Sequence, residues 1–149
     1  MIANILVVCI GNICRSPMAE GLFKHALPGI TVRSAGLDAM TGHPADPFAV
    51  QLMQEQGIDI TGHRAQALAS WMISEADIVV AMDLAQKHFI EQRYPTARGK
   101  VFRLCESDNG DINGDIPDPY RQGLAVFRQT CDLIVQGVDV LVERIDRIR

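Results

Sequence analysis

The chain carries no surplus of positive charge: 14 Lys and Arg stand against 18 Asp and Glu, a formal charge of -4. That balance reads against a nucleic-acid-binding face, which needs a basic patch. It leaves a local anion site open, because one arginine can serve there whatever the net charge. No apolar stretch approaches the roughly 20 residues of a membrane span, so no membrane insertion is expected. Met1-Ile2-Ala3-Asn4 lacks the basic segment and cleavage site of a secretory leader. The four cysteines, at 9, 14, 105 and 131, include no C-x-x-C pair, which removes a zinc knuckle and a thioredoxin-like motif. A chain of this size has core enough to do without disulfide staples, so a reduced, cytoplasmic setting is expected. There is also no internal repeat, low-complexity tract or domain-dividing linker.

What is present, 149 residues at 48% hydrophobic and 21% charged, reads as one globular domain over residues 1–149. Ile5-Leu6-Val7-Val8 is a short, continuously apolar run, as expected of a strand buried on both faces. Ser16-Pro17 opens a helix, with serine as a candidate cap and proline at the first position. Met18, Leu22, Phe23, Ala26 and Leu27 continue it to Pro28-Gly29. A second strand is expected over Ile30 to Ser34, closed by Ala35-Gly36. Helices are predicted for Asp46–Gln56, Ser70–Glu75 and about Leu84–Gln92, and strands for Asp77–Met82 and Val101–Leu104. A long helix lies between Pro119 and Arg149.

Its apolar positions 124, 127, 131, 134, 138, 141, 145 and 148 form a stripe that fits a coiled-coil seam. Val126, Leu133, Val135, Val140 and Val142 widen that face and favour packing on a sheet, with Cys131 as a core thiol. Strands alternating with helices predict an α/β fold: a parallel sheet with helices on both faces. Ligands bind such sheets beyond the carboxyl ends of the strands.

At that end of the first strand stands Cys9-Ile10-Gly11-Asn12-Ile13-Cys14-Arg15-Ser16-Pro17. C-x5-R alone is weak evidence; the strand–loop–helix context carries the weight. A loop closing on a helix N-terminus aims unpaired N–H groups at one point, where the helix dipole also favours an anion. Gly11 permits close approach, and the planar fork of Arg15 can hold two phosphate oxygens. The same positive field favours the nucleophilic thiolate of Cys9, to which Ser16 can donate while accepting a capping N–H. A buried cysteine beside a capped helix, with Arg15 in a surface ion pair, is the plain alternative.

This string resembles the signature of the low-molecular-weight protein tyrosine phosphatases. The likeness extends through Ser34-Ala35-Gly36, Gly62-His63, Ala81-Met82-Asp83 and Asp118-Pro119-Tyr120, in family order over essentially the whole chain. Ile116-Pro117-Asp118-Pro119-Tyr120-Arg121 looks most like the bacterial branch associated with exopolysaccharide and capsule export. The resemblance implies a three-layer αβα fold with a four-stranded parallel sheet, and neither metal nor organic cofactor. It implies hydrolysis of phosphotyrosine on a protein substrate, an autophosphorylated bacterial tyrosine kinase; a monomer is the default expectation.

Within that reading Cys9 is the nucleophile, Arg15 the phosphate clamp and Asp118 the acid that protonates the departing oxygen. Pro119 biases Asp118 toward an extended backbone, although Asp-Pro is also ordinary turn chemistry. Asp115 is a rival acid, or a like charge acting on Asp118. A calcium loop over residues 111–115 fails for want of the glycine at Ile116 and the glutamate at Gln122. The family places the residues matching Asn12, Ser34 and His63 in a hydrogen-bond network that supports the loop; His25, His43 and His88 match no such position. Asp83 either orients Arg15, lines the cleft or caps a helix. Ile10 and Ile13 supply apolar sides, with Tyr120 and Met40 as facing walls; Met40 and Arg121 depart from the aromatics of the eukaryotic branch. Cys14 is either a loop-packing residue or a partner for Cys9 in a reversible disulfide. Thiol-dependent arsenate reduction is the alternative activity, but Cys105 and Cys131 do not sit on a mobile segment near Cys9. A phosphotyrosine-binding module without turnover is the third reading.

Overall fold

The computed structural model describes residues 1–106 and 114–148. Four strands, β1 (Asn4–Cys9), β2 (Thr31–Gly36), β3 (Ile78–Ala81) and β4 (Val101–Arg103), form a wholly parallel sheet in the order β2-β1-β3-β4. Five helices connect or follow them: α1 (Arg15–Ala26), α2 (Pro47–Glu55), α3 (Ser70–Glu75), α4 (Leu84–Arg93) and α5 (Leu124–Ile148). The α/β three-layer arrangement expected from the alternating pattern is the one observed.

The pleat of β1 explains both layers, because successive side chains leave opposite faces of a strand. Ile5, Val7 and Cys9 join the core shared with α1, α2 and α5, while Leu6 and Val8 join that of α3 and α4. All five apolar residues from Ile5 to Cys9 are buried, which is why the run is continuous rather than alternating. Strand order reverses beside β1, with β2 on one side and β3 on the other. Cys9 therefore emerges at the switch point, the place where open α/β sheets leave a crevice.

Local chemistry sets the helix starts. Asp46 caps α2 by accepting from Phe48 N at 2.9 Å, with Pro47 at the first position. Asp83 caps α4 by accepting from Gln86 N at 2.7 Å. β2 runs two residues beyond the expected end, through Ala35 and Gly36. These two residues pair with Val8 and Cys9 of β1, and Gly36 also bridges a distant segment, its N donating to Gln66 O and its O accepting from Leu68 N, both at 2.9 Å.

α5 buries Phe127, Thr130, Cys131, Ile134, Gly137, Val138 and Ile145 in the core with α1 and α2. Most of the stripe is thus a packing face within the chain, with Ile148 exposed at its end. Leu133 and Val140, expected to widen it, are exposed. Among the described residues no helix is long and apolar enough to cross a membrane. The stretch 111–115, considered above for calcium, lies outside the described residues as far as position 113.

Candidate active site

Between β1 and α1 the chain makes a turn whose carbonyls all face away from its centre. Cys9 O accepts from Leu37 N, Ile10 O from Asp38 N, Gly11 O from Met40 N and Ile13 O from Asp46 N, at 2.8 to 3.0 Å. Asn12 O meets His63 Nε2 at 2.7 Å. In a planar trans peptide the C=O and the following N–H point in opposite directions. Outward carbonyls on residues 9 to 13 therefore turn the N–H groups of residues 10 to 14 inward. The first turn of α1 adds its own unpaired donors to the same side. The result is a cradle of backbone N–H groups directly above the Cys9 thiol.

Asn12 holds this turn together. Its φ of +59° lies in the left-handed region that asparagine tolerates better than most residues. Its side chain is fully buried and fully used: Oδ1 accepts from Gln66 N at 2.9 Å, and Nδ2 donates to Ser16 Oγ at 2.7 Å and Ser34 Oγ at 2.9 Å. Ser16 Oγ lies 2.9 Å from Cys9 Sγ. That oxygen accepts from Asn12, and its own proton is available to the sulfur. Ser16 does not cap α1, contrary to expectation. The helix begins at Arg15, one residue earlier than Ser16, without a side-chain cap, and this leaves the hydroxyl free for Cys9.

The network ends on a residue the sequence reading missed. Ser34 Oγ donates to Glu20, which also receives Lys24 Nζ and stands 3.9 Å from His63 Nδ1. Glu20 sits one turn beyond Ser16 on α1; that spacing was the only available signal, and it is shared by most helical glutamates. Asn12, Ser16, Ser34 and His63 thus form a supporting layer behind the loop rather than its lining.

The front of the loop opens into a pocket of about 200 Å³ lined by Cys9, Ile10, Gly11, Ile13, Cys14, Arg15, Asp38, Met40, Asp118 and Tyr120. Cys9 and Arg15 are each only 3% exposed, so both reach the pocket from its floor. Arg15 Nη1 donates to Ile116 O at 2.8 Å and lies 3.7 Å from Asp83, while Nη2 lies 3.6 Å from Asp118. Asp118 is about half exposed at the mouth, and its Oδ1 accepts from Tyr120 N at 3.1 Å. That short turn links the orientation of the carboxyl to the placement of the ring. Asp83 both caps α4 and stands beside Arg15. Asp38, on the lip, was not foreseen.

Asp115 is no rival acid. Its Oδ1 accepts from Arg103 Nη1 at 2.8 Å and Leu84 N at 2.9 Å, which turns it away from the pocket. Cys14 is buried beside Cys9; burial, with Asp46 and the Cys9 sulfur adding, pushes its thiol well above the ordinary range. Cys105, whose Sγ donates to Leu133 O, and Cys131 in α5 are absent from the pocket lining. His25, His43 and His88 are exposed and also absent from it.

The family described as low molecular weight phosphotyrosine protein phosphatase matches residues 4–149. The chain is 52% identical over 145 residues to the probable low molecular weight protein-tyrosine-phosphatase EpsP of Ralstonia nicotianae, with 97% of each chain covered. It is 39% identical over 143 residues to a protein-arginine-phosphatase of Geobacillus stearothermophilus, with 95% of each covered. Wzb of Vibrio vulnificus in complex with benzylphosphonate superimposes with a TM-score of 0.89 at 34% identity, over 97% of this chain and 99% of that one.

Proposed function

The chain belongs to the low-molecular-weight phosphotyrosine protein phosphatases, and from that premise we propose that it hydrolyses phosphotyrosine through a cysteinyl-phosphate intermediate. One observation carries the reading: Cys9, the Arg15 fork and the Asp118 carboxyl converge on a single slot walled by Tyr120, Met40, Ile10 and Ile13. The phosphate oxygens accept from the inward N–H groups and from Arg15. Cys9 Sγ attacks phosphorus in line, forming S–P as the P–O bond to the tyrosyl oxygen breaks, and Asp118 in its acid form gives that oxygen a proton. Asp118, now a carboxylate, takes a proton from water as the water attacks phosphorus. The S–P bond breaks, and phosphate and the Cys9 thiolate are released.

The arginine-phosphatase relative makes phosphoarginine the second substrate to weigh. A guanidinium needs acceptors for its N–H groups; Asp38 on the lip offers one carboxylate, but the walls beyond the phosphate are apolar at Ile10, Ile13 and Met40. An aromatic ring fits those walls without leaving polar groups unpaired. Arsenate reduction requires resolving thiols on a mobile segment at the slot; Cys14 is the one further thiol in its lining, on the loop itself, and burial raises its pKa.

The test is phosphate release from a phosphotyrosine peptide and a phosphoarginine peptide, run beside thioredoxin-coupled arsenate reduction. Faster release from phosphotyrosine is expected; preference for phosphoarginine, or reduction without hydrolysis, rejects the reading. The resemblance to the exopolysaccharide-associated branch extends the proposal: the physiological substrate is an autophosphorylated bacterial tyrosine kinase of polysaccharide export, met in the cytoplasm by a monomeric phosphatase. A Cys9→Ser trap that retains no such kinase removes that extension.

A further inference from the structure

Arg103 closes β4 with only 2% of its surface exposed, the largest fully buried side chain among the described residues. Nη1 pairs with Asp115, while Nε and Nη2 have no hydrogen-bond partner among the described residues. Stability does not account for such a group. Buried ion pairs are often matched or bettered by apolar residues of similar volume, and unpaired buried donors add a cost.

Its surroundings give another reason. A Cβ on Gly114 would stand 2.0 Å from Cys105 O and 3.1 Å from Arg103 Cζ. The backbone therefore lies directly against the guanidinium, an approach open only to glycine. The next residue, Asp115, is pinned by Arg103 and by Leu84 N at the start of α4. Ile116 N then donates to Met82 O at 2.9 Å, and Ile116 O accepts from Arg15 Nη1 at 2.8 Å. Two residues on is Asp118, 3.6 Å from Arg15 Nη2. Five consecutive residues thus run from the Arg103 guanidinium to the acid.

We propose that Arg103 is a positioning residue for the reaction: through Asp115 it holds the Ile116 carbonyl, and so sets where the Arg15 fork and the Asp118 carboxyl stand relative to Cys9. This rests on the phosphatase reading above. A displacement on the order of 1 Å at such groups can cost about a hundredfold in rate, which is reason enough to keep an expensive buried cation.

The test uses Arg103→Met, Asp115→Asn, Arg103→Lys and the apolar pair Arg103→Met/Asp115→Leu. Each is read by thermal stability, by kcat and KM on a phosphotyrosine peptide, and by how much inorganic phosphate protects Cys9 from iodoacetate. Arg103→Met is expected to lower kcat about 10- to 100-fold, more for poor leaving groups than good ones, and to raise the phosphate needed for protection about tenfold. Arg103→Lys should recover part of both. The apolar pair should regain thermal stability without regaining kcat. If Arg103→Met does not fold, Asp115→Asn and the apolar pair decide the matter. Wild-type kcat and protection in a folded variant overturn the proposal, as does an apolar pair that recovers kcat together with stability. If the wild type fails to hydrolyse phosphotyrosine, the proposed function falls separately. Phosphate protection then judges Arg103 alone: weakened protection supports it and unchanged protection overturns it.

Discussion

Asn12 engages two hydroxyls, one backbone N–H and one imidazole, all buried or partly buried. The imidazole meets the backbone carbonyl and is kept in Asn12→Ala, but Ser16 Oγ, Ser34 Oγ and Gln66 N lose their partner, at about 1–3 kcal/mol for each buried group left unpaired. A loss of several kcal/mol in denaturant unfolding, together with a large fall in kcat, is expected; a stable and active variant would remove Asn12 from the support of the loop. Cys9→Ser should abolish phosphate release while phosphate still binds, as isothermal calorimetry can show. Asp118→Asn should slow release more for a leaving group of high pKa than for nitrophenol, and equal slowing would place the proton elsewhere. Burial raises the Cys14 and Cys105 thiols and pushes that of Cys131 up to about 11. A Cys14 attack on oxidised Cys9 must therefore wait for a proton to leave. Thiol-reversible protection from peroxide should then rise about tenfold per pH unit near neutrality, and lose that dependence in Cys14→Ser.

At the scale of elements, the site is a meeting of strand ends with segments that arrive from elsewhere. Gly36, the last residue of β2, has no room for a Cβ, which would fall 2.5 Å from Ile10 O. Gly36→Ala is expected to cost about 1–3 kcal/mol, as over-packing does, and to lower kcat by displacing the loop that Ile10 begins. Near-normal kinetics with reduced stability would show the loop to be held independently of β2. The β1 strand, the loop after it and the α1 helix, to within a residue at its start, were legible because their cues are contiguous: an apolar run, a loop of fixed spacing, Ser16-Pro17. The last two residues of β2 were not, since Ala35 and Gly36 pair with Val8 and Cys9 of β1, and Gly36 also bonds Gln66 and Leu68 from about 30 residues away. The missing cap at Ser16 has the same origin. Cys9 and Asn12 take up the hydroxyl, and their placement is a matter of tertiary geometry.

For the whole molecule, surface carboxylates tie distant elements and set its response to acid. Asp77 accepts from Ala3 N and Asn4 N, which lowers its pKa from 3.8 and fastens the start of β1 to the approach to β3. Glu55 is lowered from 4.5, first by its hydrogen bond to Arg128, which joins α2 to α5. A depressed folded pKa means stability present above the unfolded value and lost as pH falls through the folded one. The melting temperature should hold steady down to about pH 4.5 and then decline. Asp77→Asn should flatten part of that decline, and an unchanged slope would assign it to other carboxylates.

By itself the sequence determined the layer order, the buried central strand and the loop in which nucleophile, N–H cradle and arginine follow one another within seven residues. These are local: each depends on side-chain period, turn chemistry or a helix start, and neighbours in the chain settle them. Asp118 and Tyr120 were legible only through the family resemblance, since Asp-Pro by itself is ordinary turn chemistry. Only the tertiary structure decided which carboxylate serves which partner. Asp115 and Asp118 lie three residues apart with similar neighbours, yet one is drawn to Arg103 and the other stands over Arg15. Glu20 and Arg103 became visible in the same way. A charge carries no record of its partner along the chain; the packing that brings the strand ends together chooses it.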